Sequence, residues 1–236
     1  MFTEGVLEAA REHARSEYPR ESVGLVVDGV YQPRENVSDD PENEFIIPVG
    51  DYPEGLEAVI HSHSGRHGRS PSVADMEGQQ QTLVPWGIVM VAEPDDTRGA
   101  TPGEIVWFGD QVPIPPLVGR PFLAGVTDCY SLLRDYYRLE LGRTPPDYPR
   151  DQGWWLEGPS MFTEERMDAN GFTRVGLDAL EVGDGVTFMV NSRVINHCGV
   201  YVGQGLMLHH LWNRLSRREP VGPWLRCANA AWRYSG

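Results

Sequence analysis

Apolar positions recur at helical spacing near the start of the chain, and residues 3–18 are predicted as a helix. Ser22-Val-Gly-Leu-Val-Val-Asp-Gly then reads as a strand, and Phe45-Ile-Ile-Pro as another. Leu56-Glu-Ala-Val-Ile-His-Ser-His is a strand that ends on histidines. Ser72 is placed as the N-cap of a helix running to about Thr82 that contains Asp75. Trp86-Gly-Ile-Val-Met-Val has the unbroken apolar character of a buried strand. Further on, a helix is predicted from about Thr127 to Leu141, followed by an irregular stretch, 142–172, rich in Pro, Gly and Trp. Val186-Thr-Phe-Met-Val, Val194 to Val202, and Leu206 to about Trp212 then read as strands.

Charge changes the picture from one string of elements to two. Residues 1–116 hold seven arginines and twenty-one acids, whereas residues 117–236 hold thirteen of each, so the whole net charge of -14 sits on the first half. The changeover falls beside Pro113-Ile-Pro-Pro116, and such proline density favours an extended connector. A boundary at about 112–120 follows, with domains at 1–112 and 117–236; one domain with an uneven surface is the alternative. The fold class is α+β: an α/β-type N-terminal unit, then a helix followed by an antiparallel sheet.

The same composition excludes several functions. All 20 cations are arginine, and the acidic balance argues against a nucleic-acid binder or a surface drawn to anionic lipid. No apolar stretch approaches the ~18 residues that membrane insertion needs. The first residues have neither a basic nor an apolar signal region, so synthesis in a cytoplasm without a signal peptide is expected. Cys129, Cys198 and Cys227 are too few for a disulfide framework.

His61 and His63 lie two apart on a strand, so both rings face one side and reach one metal ion. Asp75 on the next helix completes a two-His, one-carboxylate set, the pattern of a catalytic zinc with a position left for water. Glu21, just ahead of a strand, is the candidate general base. His67, in the intervening loop, is read as solvated. His61-x-His63, then Ser72-x-x-Asp75, resembles the JAMM motif of the JAB/MPN metallopeptidases, with Ser64 where proline is common. Pro19-Arg-Glu21-Ser-Val-Gly24 resembles that family's upstream glutamate segment. The resemblance covers roughly 1–110 and implies zinc at His61, His63 and Asp75. It also implies Glu21 as base, Ser72 holding the tetrahedral intermediate, and amide or isopeptide hydrolysis.

The second cluster begins at Cys129, where a helix opens; a helix start lowers a thiol's pKa. Its base would be His197, on an alternating strand. If the loop at Gly203-Gln-Gly205 centres on one residue, His209 shares the face of His197 and His210 points away; a two-residue turn swaps that choice. Cys198 and Cys227 are read as core residues. Trp154-Trp155 is read as packing or as the wall of a substrate groove.

Asp128-Cys129-x-Ser131-Leu-Leu, Gly183-Asp184 and His197-x-Gly-Val-Tyr201 with His209 resemble the NlpC-type papain-like cysteine peptidases, which cleave cell-wall peptides. That implies Cys129 as nucleophile, His197 as base and His209 as orienting residue. The fusion of the two halves, with Leu117-Val-Gly-Arg-Pro-Phe and Leu208-His-His-Leu, resembles the tail-assembly protein K family of long-tailed phages. It implies peptidoglycan peptides as substrate, other tail-tip proteins as partners, and a place in the phage tail or virion. Two further readings stand beside it: a cellular deconjugating or processing protease that uses the zinc half, and a structural tail component with inactive sites.

Overall fold

A computed structural model describes residues 2–65, 67–95, 97–156 and 160–234. Residues 157–159 of the irregular stretch lie outside the described residues. The chain divides into two compact units, Met1–Pro113 and Ile114–Gly236.

The first unit opens with helix α1 (Glu4–Glu17), whose Val6, Ala10 and Ala14 form one buried stripe. Strands β1 (Val23–Val27), β2 (Val30–Arg34), β3 (Leu56–Ser64), β4 (Trp86–Ala92) and β5 (Thr101–Phe108) form a sheet in the order β2-β1-β3-β4-β5. Only β3 and β4 run parallel, joined by helix α2 (Val73–Thr82). Alternation along β3 assigns its two faces. Ala58 and Ile60 join the core under α1, with Val26, Val89 and Val91, so His61 and His63 face the other side. Asp75, early on α2, meets them there.

Two sequence expectations change in this unit. Phe45-Ile-Ile-Pro is not a strand. Asn36 side-chain bonds to Glu44 O and Ile46 N hold the segment as a loop, and the Phe45 ring packs against His61 at 4.8 Å. The edge strands β2 and β5 were not expected; their mixed exposed and buried positions lack an apolar run.

Gly24 is fixed by close approach rather than by its backbone angle. An added Cβ would lie 2.3 Å from Tyr31 Cζ, and the Tyr31 hydroxyl is 2.9 Å from His13 Nδ1, so the ring has a partner to lose if it moves. Gly24→Ala is expected to destabilise this unit by about 1–3 kcal/mol, the usual cost of overpacking, read as a lower urea midpoint at unchanged slope.

The second unit contains helix α3 (Cys129–Glu140), helix α4 (Glu164–Ala169) and a six-stranded antiparallel sheet. Its strands are β6 (Phe172–Val175), β7 (Gly185–Phe188), β8 (His197–Gly203), β9 (Leu206–His209), β10 (Arg217–Pro220) and β11 (Ala228–Tyr234), in the order β10-β9-β8-β7-β11-β6. Leu132, Leu133 and Tyr137 of α3 pack on Cys198, Val200, Leu208 and Trp232 from one sheet face. Val186, Phe188, Met207 and Ala231 build a core on the other. The stretch 142–172 is therefore not wholly irregular, since it contains α4 and the first residue of β6. Strand β8 begins at His197 rather than Val194, because Asn196 bonds Val190 at both its backbone groups and closes a loop.

Candidate functional site

In the first unit, the imidazoles of His61 and His63 and the Asp75 carboxylate converge, with one ligand atom from each within 4.8 Å of the others. His61 Nε2 is 3.2 Å from His63 Nε2 and 3.2 Å from Asp75 Oδ1. His63 Nδ1 donates to Gly68 O at 3.2 Å, which leaves Nε2 as its lone-pair nitrogen. All three residues are buried. Burial would raise Asp75, but the two imidazoles outweigh it and hold the carboxyl well below its usual range. Burial lowers His61; at His63 it is overcome by Asp75 and Glu21, which raise the ring.

Glu21 lies just before β1 and brings Oε1 to 3.9 Å from His63 Nε2. Burial pushes its carboxyl up to about 7, against the attraction of His63. Ser72 caps α2: its hydroxyl accepts from Asp75 N at 3.0 Å and donates to Asp75 Oδ2 at 2.8 Å. The same capping box that starts the helix thus fixes the Asp75 rotamer. His67 is half-buried, bonds Glu42 O at 3.1 Å and lies outside the three-residue cluster.

In the second unit, Asp128 is the N-cap of α3 and Cys129 its first residue. His197, the first residue of β8, lines the same cavity of about 200 Å³ as Cys129, together with Trp154, Trp155 and Trp212. Trp154 also packs on Phe162, so the tryptophan pair serves both packing and wall. His197 Nε2 is 3.0 Å from His209 Nδ1, which leaves His197 Nδ1 for the thiol. The neighbouring Cys198 thiol and His197 ring outweigh burial and pull the Cys129 thiol down to about 5. Burial, with His197 and Arg217 adding to it, pushes His209 down to about 3, so it stays neutral. Glu219 Oε1 lies 2.8 Å from His209 Nε2.

The pairing of His197 with His209 comes from two irregularities that cancel. The β8–β9 turn has two central residues, Gln204 and Gly205, both at positive φ. Alone it would bring His210 to the face of His197. Val202 is bulged between the pairs Tyr201↔Met207 and Gly203↔Leu206, and that extra residue restores His209. Gly199 lies opposite His209, where an added Cβ would meet His209 Cβ at 3.0 Å. His210 instead donates from Nε2 to Arg214 O and stacks edge-on to Phe122.

Sequence reasoning missed two groups here. Cys198, read as core, is buried but also lowers the pKa of the neighbouring Cys129 thiol. Arg150 is fully buried against Asp128; a buried N-cap carboxylate needs a counter-charge, and that was the available signal.

Residues 119–230 match the NlpC/P60 family. The second unit is thus an NlpC/P60 domain. The chain is 36% identical over 180 residues to tail tip assembly protein K of Escherichia phage lambda, covering 75% of this chain and 81% of that protein. It is 32% identical over 226 residues to tail tip assembly protein K of Escherichia phage N15, covering 92% and 88%. The chain belongs to the tail tip assembly protein K family. Among solved structures, it is similar to an NlpC/P60 family protein from Bacillus cereus ATCC 10987, at 18% identity and TM-score 0.36, over 68% of this chain and 67% of that one.

Proposed function

We propose that the chain acts in phage tail tip assembly and carries a cysteine peptidase in its second unit, directed at the peptides of peptidoglycan. The observation that carries this reading is the run Cys129–His197–His209 at a tryptophan-walled cavity, inside a domain of the NlpC/P60 family. The Cys129 sulfur attacks the scissile carbonyl carbon, forming a C–S bond. His197 gives its proton to the leaving amine as the C–N bond breaks, then takes one from the water that releases the acyl group. His209 holds the His197 ring through the 3.0 Å contact. The virion is the proposed location, and other tail-tip proteins are the proposed partners.

His209→Ala is expected to lower kcat roughly 10²-fold, whereas His209→Asn, which can still accept from His197, loses about tenfold or less. The experiment that tests the peptidase reading is mass spectrometry of fragments released from purified host sacculi by the full chain. Fragments with newly cut peptide stems support it; intact stems at all enzyme concentrations overturn it.

A specific cluster supports a second activity in the first unit. Two buried imidazoles and one buried, ionised carboxylate, with one ligand atom from each brought together, suit zinc. We propose a JAB/MPN-type metallopeptidase with zinc held by His61, His63 and Asp75. Zinc so bound would supply Lewis-acid polarisation and a more acidic water. Glu21, with its carboxyl near neutrality, accepts and returns the proton at the cut bond. Ser72, beyond capping α2, is assigned a hydrogen bond to the developing oxyanion. A substrate that is a tail protein rather than a wall peptide fits this second role.

A further inference from the structure

The stretch between α3 and β6 carries a group that the peptidase mechanism above does not use. Arg150 is the largest fully buried side chain among the described residues. Every one of its five N–H donors has a partner. Nε and one terminal nitrogen grip the Asp128 carboxylate at 2.7 and 3.1 Å. That same nitrogen donates to Ser131 Oγ at 2.6 Å. The other nitrogen donates to Asp147 Oδ1 at 2.6 Å and Tyr148 O at 2.8 Å. Asp128 is equally filled: beyond Arg150 it accepts from Gly125 N and Ser131 N, both at 2.8 Å.

A buried ion pair is a weak source of stability, because desolvation offsets its attraction. Its place is more informative. Asp128 is the N-cap of α3 and the chain neighbour of Cys129, so its negative charge opposes a thiolate there. A helix cap needs an acceptor, and a thiolate needs no anion beside it. Arg150 reconciles the two. It keeps the carboxylate ionised against burial and sets a positive charge directly against it. Asp147, tied also to Arg134 of α3, anchors the far side of the guanidinium.

We propose that Arg150 is a positioning residue for the Cys129 nucleophile: by clamping and neutralising the Asp128 cap, it lets a capped helix start carry a thiolate. The proposal rests on the peptidase reading of Cys129. The next residues, Asp151, Gln152, Trp154 and Trp155, line the cavity, so one segment both supports the nucleophile and walls its groove. The groups around Cys129 are Asp128 of its own helix start, His197 and Cys198 of β8, and Asp151 of this segment in the shared cavity; Arg150 reaches it through Asp128. His209 lies behind His197, and His210 follows β9.

The test is the pH dependence of Cys129 alkylation by iodoacetamide in the full chain, with the modified residue mapped by mass. Arg150→Gln leaves the Asp128 charge uncancelled and is expected to raise the midpoint by about one pH unit or more, which is roughly tenfold less thiolate at pH below it. Asp128→Asn keeps a cap but frees the arginine charge, and is expected to lower the midpoint. The double variant restores neutrality and returns to within about half a unit of wild type. A residue that merely holds the fold would not give opposite shifts that cancel. Unchanged midpoints, or shifts of one sign, overturn the proposal. Should Arg150→Gln fail to fold, Asp128→Asn decides alone: a midpoint that stays or rises overturns it. Turnover that survives Cys129→Ala would instead remove the nucleophile, a failure visible in the murein assay and separate from the alkylation result.

Discussion

Cys129→Ala is expected to abolish the release of murein fragments, with kcat falling by about 10⁴-fold or more, as loss of a catalytic nucleophile does. No other thiol can take its place. Cys198 is fully buried, and burial together with the neighbouring Cys129 sulfur raises its thiol well above the usual range. Cys227 bonds Trp224 O and belongs to the opposite core. The rates should be measured on purified sacculi by mass spectrometry, with Glu21→Ala alongside. Fragments lost with Cys129→Ala and kept with Glu21→Ala would assign wall cleavage to the second unit. Fragments kept with Cys129→Ala and lost with Glu21→Ala would mean that wall cleavage runs through the first unit, and would sink the cysteine reading.

The pH profile gives the same reading a second handle. The Cys129 thiol lies below its ordinary value, at about 5. The reactive thiolate is therefore present above about pH 5 and is lost as pH falls through that value. Activity should accordingly persist through neutral pH and fall on the acid side, where an unperturbed thiol would already be protonated at neutrality.

How far the sequence was legible differs between the two sites, for physical reasons. His61, His63 and Asp75 could be read because each rests on a local rule. Strand alternation puts the two histidines on one face, and the Ser72 capping box fixes where the next helix begins. The partner of His197 rests on a register, and a register sums every residue between two strands. The two-residue turn at Gln204-Gly205 and the bulge at Val202 each shift it by one, and no apolar pattern announces a bulge. Phe45-Ile-Ile-Pro had strand composition but lies in a loop, where its aromatic ring covers His61 instead of joining the ladder. Arg150 sat among prolines and tryptophans in a stretch without periodicity, and its burial is decided by a charge twenty-two residues away. Local chemistry was visible; long-range pairing was visible only where nothing slipped.

The first unit is expected to bind one zinc ion per chain, and each of His61→Ala, His63→Ala and Asp75→Ala to remove that binding. Three protein ligands leave no redundancy, so loss of one should weaken affinity by at least about 10²-fold. Equilibrium dialysis of the full chain followed by metal analysis reads this directly, without any substrate. The second unit also offers a thiol and two histidines, so the comparison needs Cys129→Ala as its control. Zinc retained by Cys129→Ala and lost by His61→Ala places the metal in the first unit; the reverse pattern would sink the metallopeptidase reading. Glu21 separates binding from chemistry. At 3.9 Å from His63 Nε2 it stands beside the three-residue set rather than in it. Glu21→Gln should therefore keep the zinc while lowering cleavage of a protein substrate by roughly 10²–10⁴-fold, the range for removal of a general base. Loss of zinc in Glu21→Gln would make Glu21 a fourth ligand, close the site to water, and turn the first unit from an enzyme into a metal-stabilised scaffold.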